Sequence, residues 1–318
     1  MRLTLAVLAL ALAAFGQITL KRIPPDEAAK HLVKKASVTY PPLAEAARIQ
    51  GNIILEVRID ESGAASVRRL VTGHPLLAPA AIESANHWRY QPFEVDGKPA
   101  TVVTLVMVTF GSPGKENDAA ARAEILCQDN FWTAEESAQT ALGQRDYTSA
   151  EEQLNRARDV LAPVSDGRRH ESERWQLMIS MGHLAMAQKK DGEAEQCYKE
   201  ALELRQNGDK NAPEMAATLA DLGTLYAEEK RYDLARDHAT RSVAIYQKNL
   251  KRVGSSVPGA REVYGRAIAY QSWMLSRIAL QQNDQIEAGK QCRNVLNFQT
   301  FLAAADHDSF VSACTSKD

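Results

Sequence analysis

The 318-residue chain is short of the features that usually announce a function. Aromatic residues make up 6%, cysteines number four and the formal net charge is -2. So neutral a balance leaves no electrostatic footprint for nucleic acid or for an acidic membrane surface. Cys127, Cys197, Cys292 and Cys314 form no CxxC, so a zinc site or a thioredoxin-like motif has no support. The seven histidines, His31, His74, His87, His170, His183, His238 and His307, are scattered and no HExxH occurs. There is neither a GxSxG nor a Walker loop, and the glycines and proline at 111–114 read as a linker rather than a nucleophile elbow. No metal, cofactor or small-molecule substrate is expected, and no enzymatic activity.

Long apolar runs are equally scarce, with one exception at the start. "MRLTLAVLALALAAFGQ" has one cation, an apolar run from Leu3 to Phe15 and then small residues. That is the layout of a secretory signal peptide over 1–16, with candidate cleavage sites at Ala11-Leu12-Ala13 or Ala14-Phe15-Gly16. An uncleaved membrane anchor is the alternative, although Gly16-Gln17 interrupts a run that is marginal for spanning. Either way the body is exported, and its cysteines become potential disulfide partners or buried thiols. Four cysteines permit three pairings, and spacing does not choose among them.

What is present falls into two halves with different periods. In "NIILEVRID", Ile53, Leu55, Val57 and Ile59 share one side, and Glu56, Arg58 and Asp60 the other, as in a half-buried strand. "DESGA" supplies a turn with Gly63 free to take positive φ, and "SVRRLVT" returns as a second strand. Leu77, Ala81, Ala85 and Trp88 then make one stripe of a helix that tolerates Pro79 in its first turn and stops near Gln91, before Pro92. Trp88 is expected to anchor that helix on the sheet, a burial worth about 3 kcal/mol. Arg89 is expected to face the negative end of the helix dipole, at about 0.3–1 kcal/mol. Tyr90 and Pro92 redirect the chain toward an Asp96-Gly97 turn, and the β-rich "TVVTLVMVTF" at 101–110 closes a small α+β domain.

Taken in order, these segments resemble the TonB C-terminal domain. The resemblance runs from Pro25 to Phe110 and rests on "YPPLAEAARIQG" with Tyr40, Pro41 and Gly51, on "NIILEVRIDESG", on "TGHPLLAPAAIESANHWRYQP", and on "VDGKPA" with the final strand. Ala78 stands where the family often has Asp. The resemblance implies a small antiparallel sheet with helices over 25–111. It also implies that the last strand, through Thr101, Val103, Thr104, Leu105, Met107 and Thr109, pairs at the sheet edge with an extended segment of an outer-membrane receptor.

After a linker at 112–118, residues 119–315 show long helical periods and no strand signal. Ala150, Ala194, Ala235 and Ala288 occupy matching places in four similar stretches, and the third stretch adds Leu219, Leu222, Gly223, Tyr226 and Tyr232. With Gly182, they resemble the small packing positions of the tetratricopeptide repeat, although separations of 44, 41 and 53 exceed the usual length of about 34. Cations such as Lys189, Lys190, Lys230 and Arg231 fall in the turns, and His183 and His238 on the helices as packing or groove residues.

The expected function is therefore binding. A periplasmic scaffold would hold one partner by strand addition and another in a repeat groove, the partners being periplasmic or outer-membrane proteins, among them a TonB-dependent receptor. The alternative is a TonB-type energy transducer coupled to outer-membrane transporters. Only about twenty residues, spanning roughly 70 Å when extended, separate the apolar run from Tyr40, and they hold no long proline-rich spacer.

Overall fold

Proline placement and side-chain period set the elements of the first half. The structure is a computed structural model that describes residues 21–95, 97–112, 114–162, 170–206, 209–253, 260–302 and 304–315. The expected leader lies outside them. The chain divides into two compact units, one ending at Glu136 and the other beginning at Ser137.

The first unit runs β1 (Lys21–Arg22), α1 (Pro25–Lys30), β2 (Leu32–Lys34), α2 (Pro42–Ala46), β3 (Gly51–Ile59), β4 (Ala65–Thr72) and α3 (Ala78–Asn86). It continues through β5 (Arg89–Tyr90), β6 (Phe93–Val95), β7 (Lys98–Ala100) and β8 (Val102–Phe110) into the long helix α4 (Lys115–Gly143), within which the two units meet in sequence. Of the expected linker at 112–118, residues 115–118 thus form the first turn of α4. The main sheet has the order β1-β8-β3-β4. It is mixed rather than antiparallel throughout, because β1 runs parallel to β8.

The predicted hairpin forms between β3 and β4. Asp60 Oδ1 accepts from the N–H groups of Ser62 and Ala64, and Gly63 takes φ of 81°. A Cβ at Gly63 would lie 2.0 Å from the Tyr90 carbonyl oxygen, so space as well as φ demands glycine there. One sheet face buries Ile53, Leu55, Val57 and Ile59 with Val102, Val106, Val108 and Phe110 under the expected stripe of Leu77, Ala81, Ala85 and Trp88.

Two sequence expectations need correction. The side of β3 that carries Glu56 is not a solvated face, since Ile54 and Glu56 are 0% and 4% exposed. The first part of α4 lies on that side: Asn52 Nδ2 donates to Asp118 Oδ1 at 3.0 Å, and Arg69 donates to Gln128 Oε1 at 3.3 Å with its guanidinium 5.5 Å from the Trp132 ring. Nor do Arg89 and Tyr90 end a helix. Helix α3 stops at Asn86, and the next residues become β5, antiparallel to β2. Backbone partners override helical propensity here, because the Tyr90 N–H donates to Gly63 O and the Gln91 N–H to His31 O.

The second unit contains the last turns of α4 followed by α5 (Tyr147–Leu161), α6 (Glu171–Ala187), α7 (Asp191–Leu204), α8 (Pro213–Glu228) and α9 (Tyr232–Val253). It ends with α10 (Ala260–Gln281), α11 (Gln285–Asn297), a short 3-10 turn at Gln299–Phe301 and α12 (Ala304–Thr315). One turn recurs at four helix junctions. Arg145, Lys189, Lys230 and Asn283 all adopt φ near 60°, each five residues before one of the aligned alanines. At each, the next residue's N–H closes on a carbonyl in the last turn of the preceding helix: Asp146 on Ala141, Lys190 on Ala185, Arg231 on Tyr226 and Asp284 on Ala279, at 2.8–2.9 Å. This is the Schellman closure, here built on non-glycine residues.

The small residues are also in phase. Ala138, Gly182, Gly223 and Ser276 each stand twelve positions before the aligned alanine, and all are buried. A Cβ at Gly182 would come within 2.3 Å of the Tyr198 ring, and one at Gly223 within 3.2 Å of the Ala239 nitrogen. A small buried residue at that place, rather than a fixed repeat length, is what the four hairpins share. Cys292 and Cys314 form a disulfide that ties α11 to α12, with Cα atoms 5.2 Å apart.

Candidate functional site

Strand β8 is the expected binding edge, and the structure narrows how much of it is open. β1 occupies the outer side of its first two residues: Lys21 lies opposite Val102, Arg22 opposite Val103, and the Ile23 N–H donates to Val103 O at 2.8 Å. Pro24 and Pro25, which lack N–H groups, end that ladder. Val103 is therefore already paired, a correction to the expectation that it meets a partner. Beyond it, among the described residues, no strand lies on the outer side of β8. Since Val103 O points outward, the alternation of the ladder aims the backbone groups of Leu105, Met107 and Thr109 the same way.

Exposure rises along one face of this strand, from Leu105 through Met107 to Thr109, while Val106, Val108 and Phe110 on the other face stay buried. Thr101, just before β8, is half-buried; Thr104 and Leu105 are fully buried, Met107 is half-buried and Thr109 is exposed. Thr109 Oγ1 donates to Asn52 Oδ1 at 2.7 Å. The accessible part of the edge is its C-terminal half.

β1 is held in place by a buried carboxylate ringed by arginines, two of which reach the surface, that the sequence did not suggest. Glu56 accepts from Arg22 Nη2 at 2.9 Å, and Arg68 Nη1 and Arg69 Nη2 stand 3.1 and 3.5 Å from its carboxylate. Burial pushes the Glu56 carboxyl up, but Arg69, Arg22 and Arg68 together outweigh it and hold the group below the ordinary carboxylate range. The arginine-rich "VRR" of β4 was the available signal, masked because alternation placed Glu56 in solvent.

The other family positions are architectural. Tyr40 donates its hydroxyl to Ile49 O at 2.6 Å and meets Phe110 edge-on, while Pro41 precedes α2 and Gly51 opens β3. Trp88 Nε1 donates to Ser84 Oγ, and Tyr90 is buried. Pro92 separates β5 from β6, and Gly97 turns β6 into β7 with φ of 73°; Asp96 lies outside the described residues.

In the repeat unit, Ala150, Ala194 and Ala235 are fully buried, and Tyr226 donates to Glu195 Oε1 at 2.9 Å beneath the Arg231 guanidinium. His183 Nε2 lies 3.4 Å from Asp221 Oδ2 in a buried position, and His238 meets the Tyr226 ring edge-on. Helix α8 has twelve of its sixteen residues buried. An apolar cleft of about 600 Å³ lies among α5, α6 and α7, lined by Leu161, Leu177, Met178 and Leu204 together with Arg158, Arg174, Glu200 and Glu203. Among the described residues, no three His, Cys, Asp or Glu side chains gather as a metal ion would require.

A mixed sheet with a half-open edge, followed by helical hairpins in phase, defines a two-module protein-interaction architecture. Residues 36–111 match the family model for the Gram-negative bacterial TonB protein C-terminal, and residues 175–248 match that of the tetratricopeptide repeat. The chain thus joins a TonB C-terminal-type domain to tetratricopeptide repeats, both of them interaction modules. No curated protein matches it. A partial likeness to the crystal structure of BtubC (BKLC) from P. vanneervenii has 16% identity, covers 59% of this chain and 88% of that one, and has a TM-score of 0.25, too low to carry an argument.

Proposed function

We propose that the chain is an exported, periplasmic adaptor without catalytic activity, its sheet module spanning 25–111 and its repeat module 119–315. The sheet module takes one partner by strand addition, and the repeat module takes a second. The observation that carries this reading is the outer edge of β8, where the backbone groups of Leu105, Met107 and Thr109 face outward with no strand beside them among the described residues. The repeat partner is an amphipathic helix laid in the cleft of Leu161, Leu177, Met178 and Leu204, with acidic groups toward Arg158 and Arg174 and basic ones toward Glu200 and Glu203. Its TonB-type domain supports placement in the cell envelope. Among the described residues, no helix is long and apolar enough to cross a membrane.

A photo-crosslinker at exposed Thr109, used in the native envelope, tests the edge. Capture should disappear in Met107→Pro, because residue 107 directs its N–H outward and proline there leaves the β3 ladder intact. Capture of a soluble periplasmic protein fits the adaptor; capture of an outer-membrane barrel receptor favours the energy transducer. Capture that survives Met107→Pro, or none at all, removes strand addition.

A further inference from the structure

The first unit contains a second feature that neither strand addition nor the core uses. Between the β2–β5 ladder and the face of α3 lies an open surface concavity of about 550 Å³, lined by Lys34, Lys35, Arg89, His87, Ser37 and Thr39, all of them exposed. Glu83 is the one acidic residue in its wall. Among the described residues, none of the three cations forms an ion pair. Lys35 Nζ sits 4.9 Å above the Trp88 ring, and Arg89 spends Nη1 on Trp88 O at 2.9 Å.

The cations are set there by the fold. Lys34 and Arg89 are register partners in the antiparallel β2–β5 pair, just past an irregularity between Leu32 and Lys34. Like charges facing across a ladder are unfavourable, although solvent screens two exposed side chains. Neighbouring bonds nevertheless fix the arrangement. Ser84 Oγ donates to Ala36 O at 3.0 Å while accepting from Trp88 Nε1 at 3.2 Å, which fastens the lysine-bearing segment to α3. The Tyr90 N–H is held by Gly63 O. The backbone thus holds two exposed cations side by side at the rim of the concavity.

We propose that this concavity binds a phosphate monoester carried on a larger polar body. Three cations against the single carboxylate of Glu83 favour a dianion over a single carboxylate, and a guanidinium fork matches two phosphate oxygens. The volume lies in the range of small-molecule sites and exceeds the need of a bare ion, so the two hydroxyls are left to meet a polar body such as a sugar. Glu83 opposes the anion and tunes its affinity downward. The ester comes from a soluble sugar phosphate or from a lipid headgroup, and the chemistry of recognition is the same.

Calorimetric titration of the full chain with glucose 6-phosphate, inorganic phosphate and glucuronate, alongside co-sedimentation with phosphatidylcholine vesicles with and without phosphatidic acid, tests this. Glucose 6-phosphate should bind more tightly than glucuronate, and Arg89→Gln should weaken it by about tenfold. Lys34→Gln should weaken binding while raising the melting temperature, because it relieves the facing charges; a purely structural lysine would not separate those readouts. Glu83→Gln should strengthen binding by about threefold. Binding confined to phosphatidic acid vesicles, and lost in the Arg89 variant, assigns the phosphate to a lipid. No binding of either phosphate source, equal affinity for glucuronate, or affinity unchanged in the Lys34→Gln, Arg89→Gln double variant overturns the proposal.

Discussion

The two units reach stability by opposite routes. In the first, contacts join residues far apart in sequence: β1 lies against β8 some eighty positions later, and one buried carboxylate meets arginines from two strands. In the second, each hairpin repeats the same local device, a left-handed turn residue, an alanine five places on and a small residue twelve places before that alanine. Damage to the first should therefore spread through the sheet, whereas damage to the second should stay near one hairpin. The largest effects should come from the non-local contacts.

Glu56→Gln attacks the densest of these. It leaves Arg22, whose side chain is 10% exposed, without its carboxylate, and loss of one partner of a buried pair typically costs about 3–5 kcal/mol. Calorimetry should show the sheet transition fall while the repeat transition holds. The wild-type chain should show the same weakness in acid. The Glu56 carboxyl is depressed in the folded state, so its contribution is complete above the ordinary glutamate range near 4.3 and disappears as pH falls through its lower folded value. A joint fall of both transitions would break the contrast between the units.

Cys292→Ser comes next. The bridge spans 22 residues, and its loss should cost about 3 kcal/mol by loop-closure entropy. Hydrogen exchange should rise in α11 and α12 and remain unchanged in α6 and α7. Gly182→Ala is smaller, about 1–3 kcal/mol, because its Cβ meets the buried Tyr198 ring. Exchange confined to α6 and α7 would sharpen the picture of nearly independent hairpins.

Why some of this was legible in the sequence, and some was not, follows from the same contrast. Period-two alternation located β3 and β4, and the stripe from Leu77 to Trp88 located α3, because one buried face is a local pattern. The role of Arg89 and Tyr90 was misread, since their strand depends on Gly63 and His31, which lie far away in sequence. The covered side of Glu56 was hidden for the same reason: its cover is α4, which begins some sixty residues later. The aligned alanines were visible in all four repeats. Their counterparts Ala138 and Ser276 carry no letter pattern, because packing needs only a small side chain and so accepts Ala, Gly or Ser. For the binding edge, the β-rich run was plain, while its partial occupation by Lys21–Arg22 required the tertiary pairing.

The turns offer the smallest and most discriminating effect. Arg145, Lys189 and Lys230 each hold φ near 60° with a Cβ in place, a conformation that costs about 1–2 kcal/mol for an ordinary residue and little for glycine. Their bonds run through the backbone, so Lys189→Gly removes no hydrogen bond of the closure between the Lys190 N–H and Ala185 O. Part of the gain is offset by the greater freedom of glycine in the unfolded chain. A net stabilisation of about 0.5–1 kcal/mol is expected, read as a higher melting temperature of the repeat unit. Arg145→Gly should add a similar amount nearly independently, since the two turns belong to different hairpins. Additive gains would show that the repeats share a local geometry and little else, while a gain from one variant that erases the other's would mean that the hairpins are coupled as tightly as the sheet.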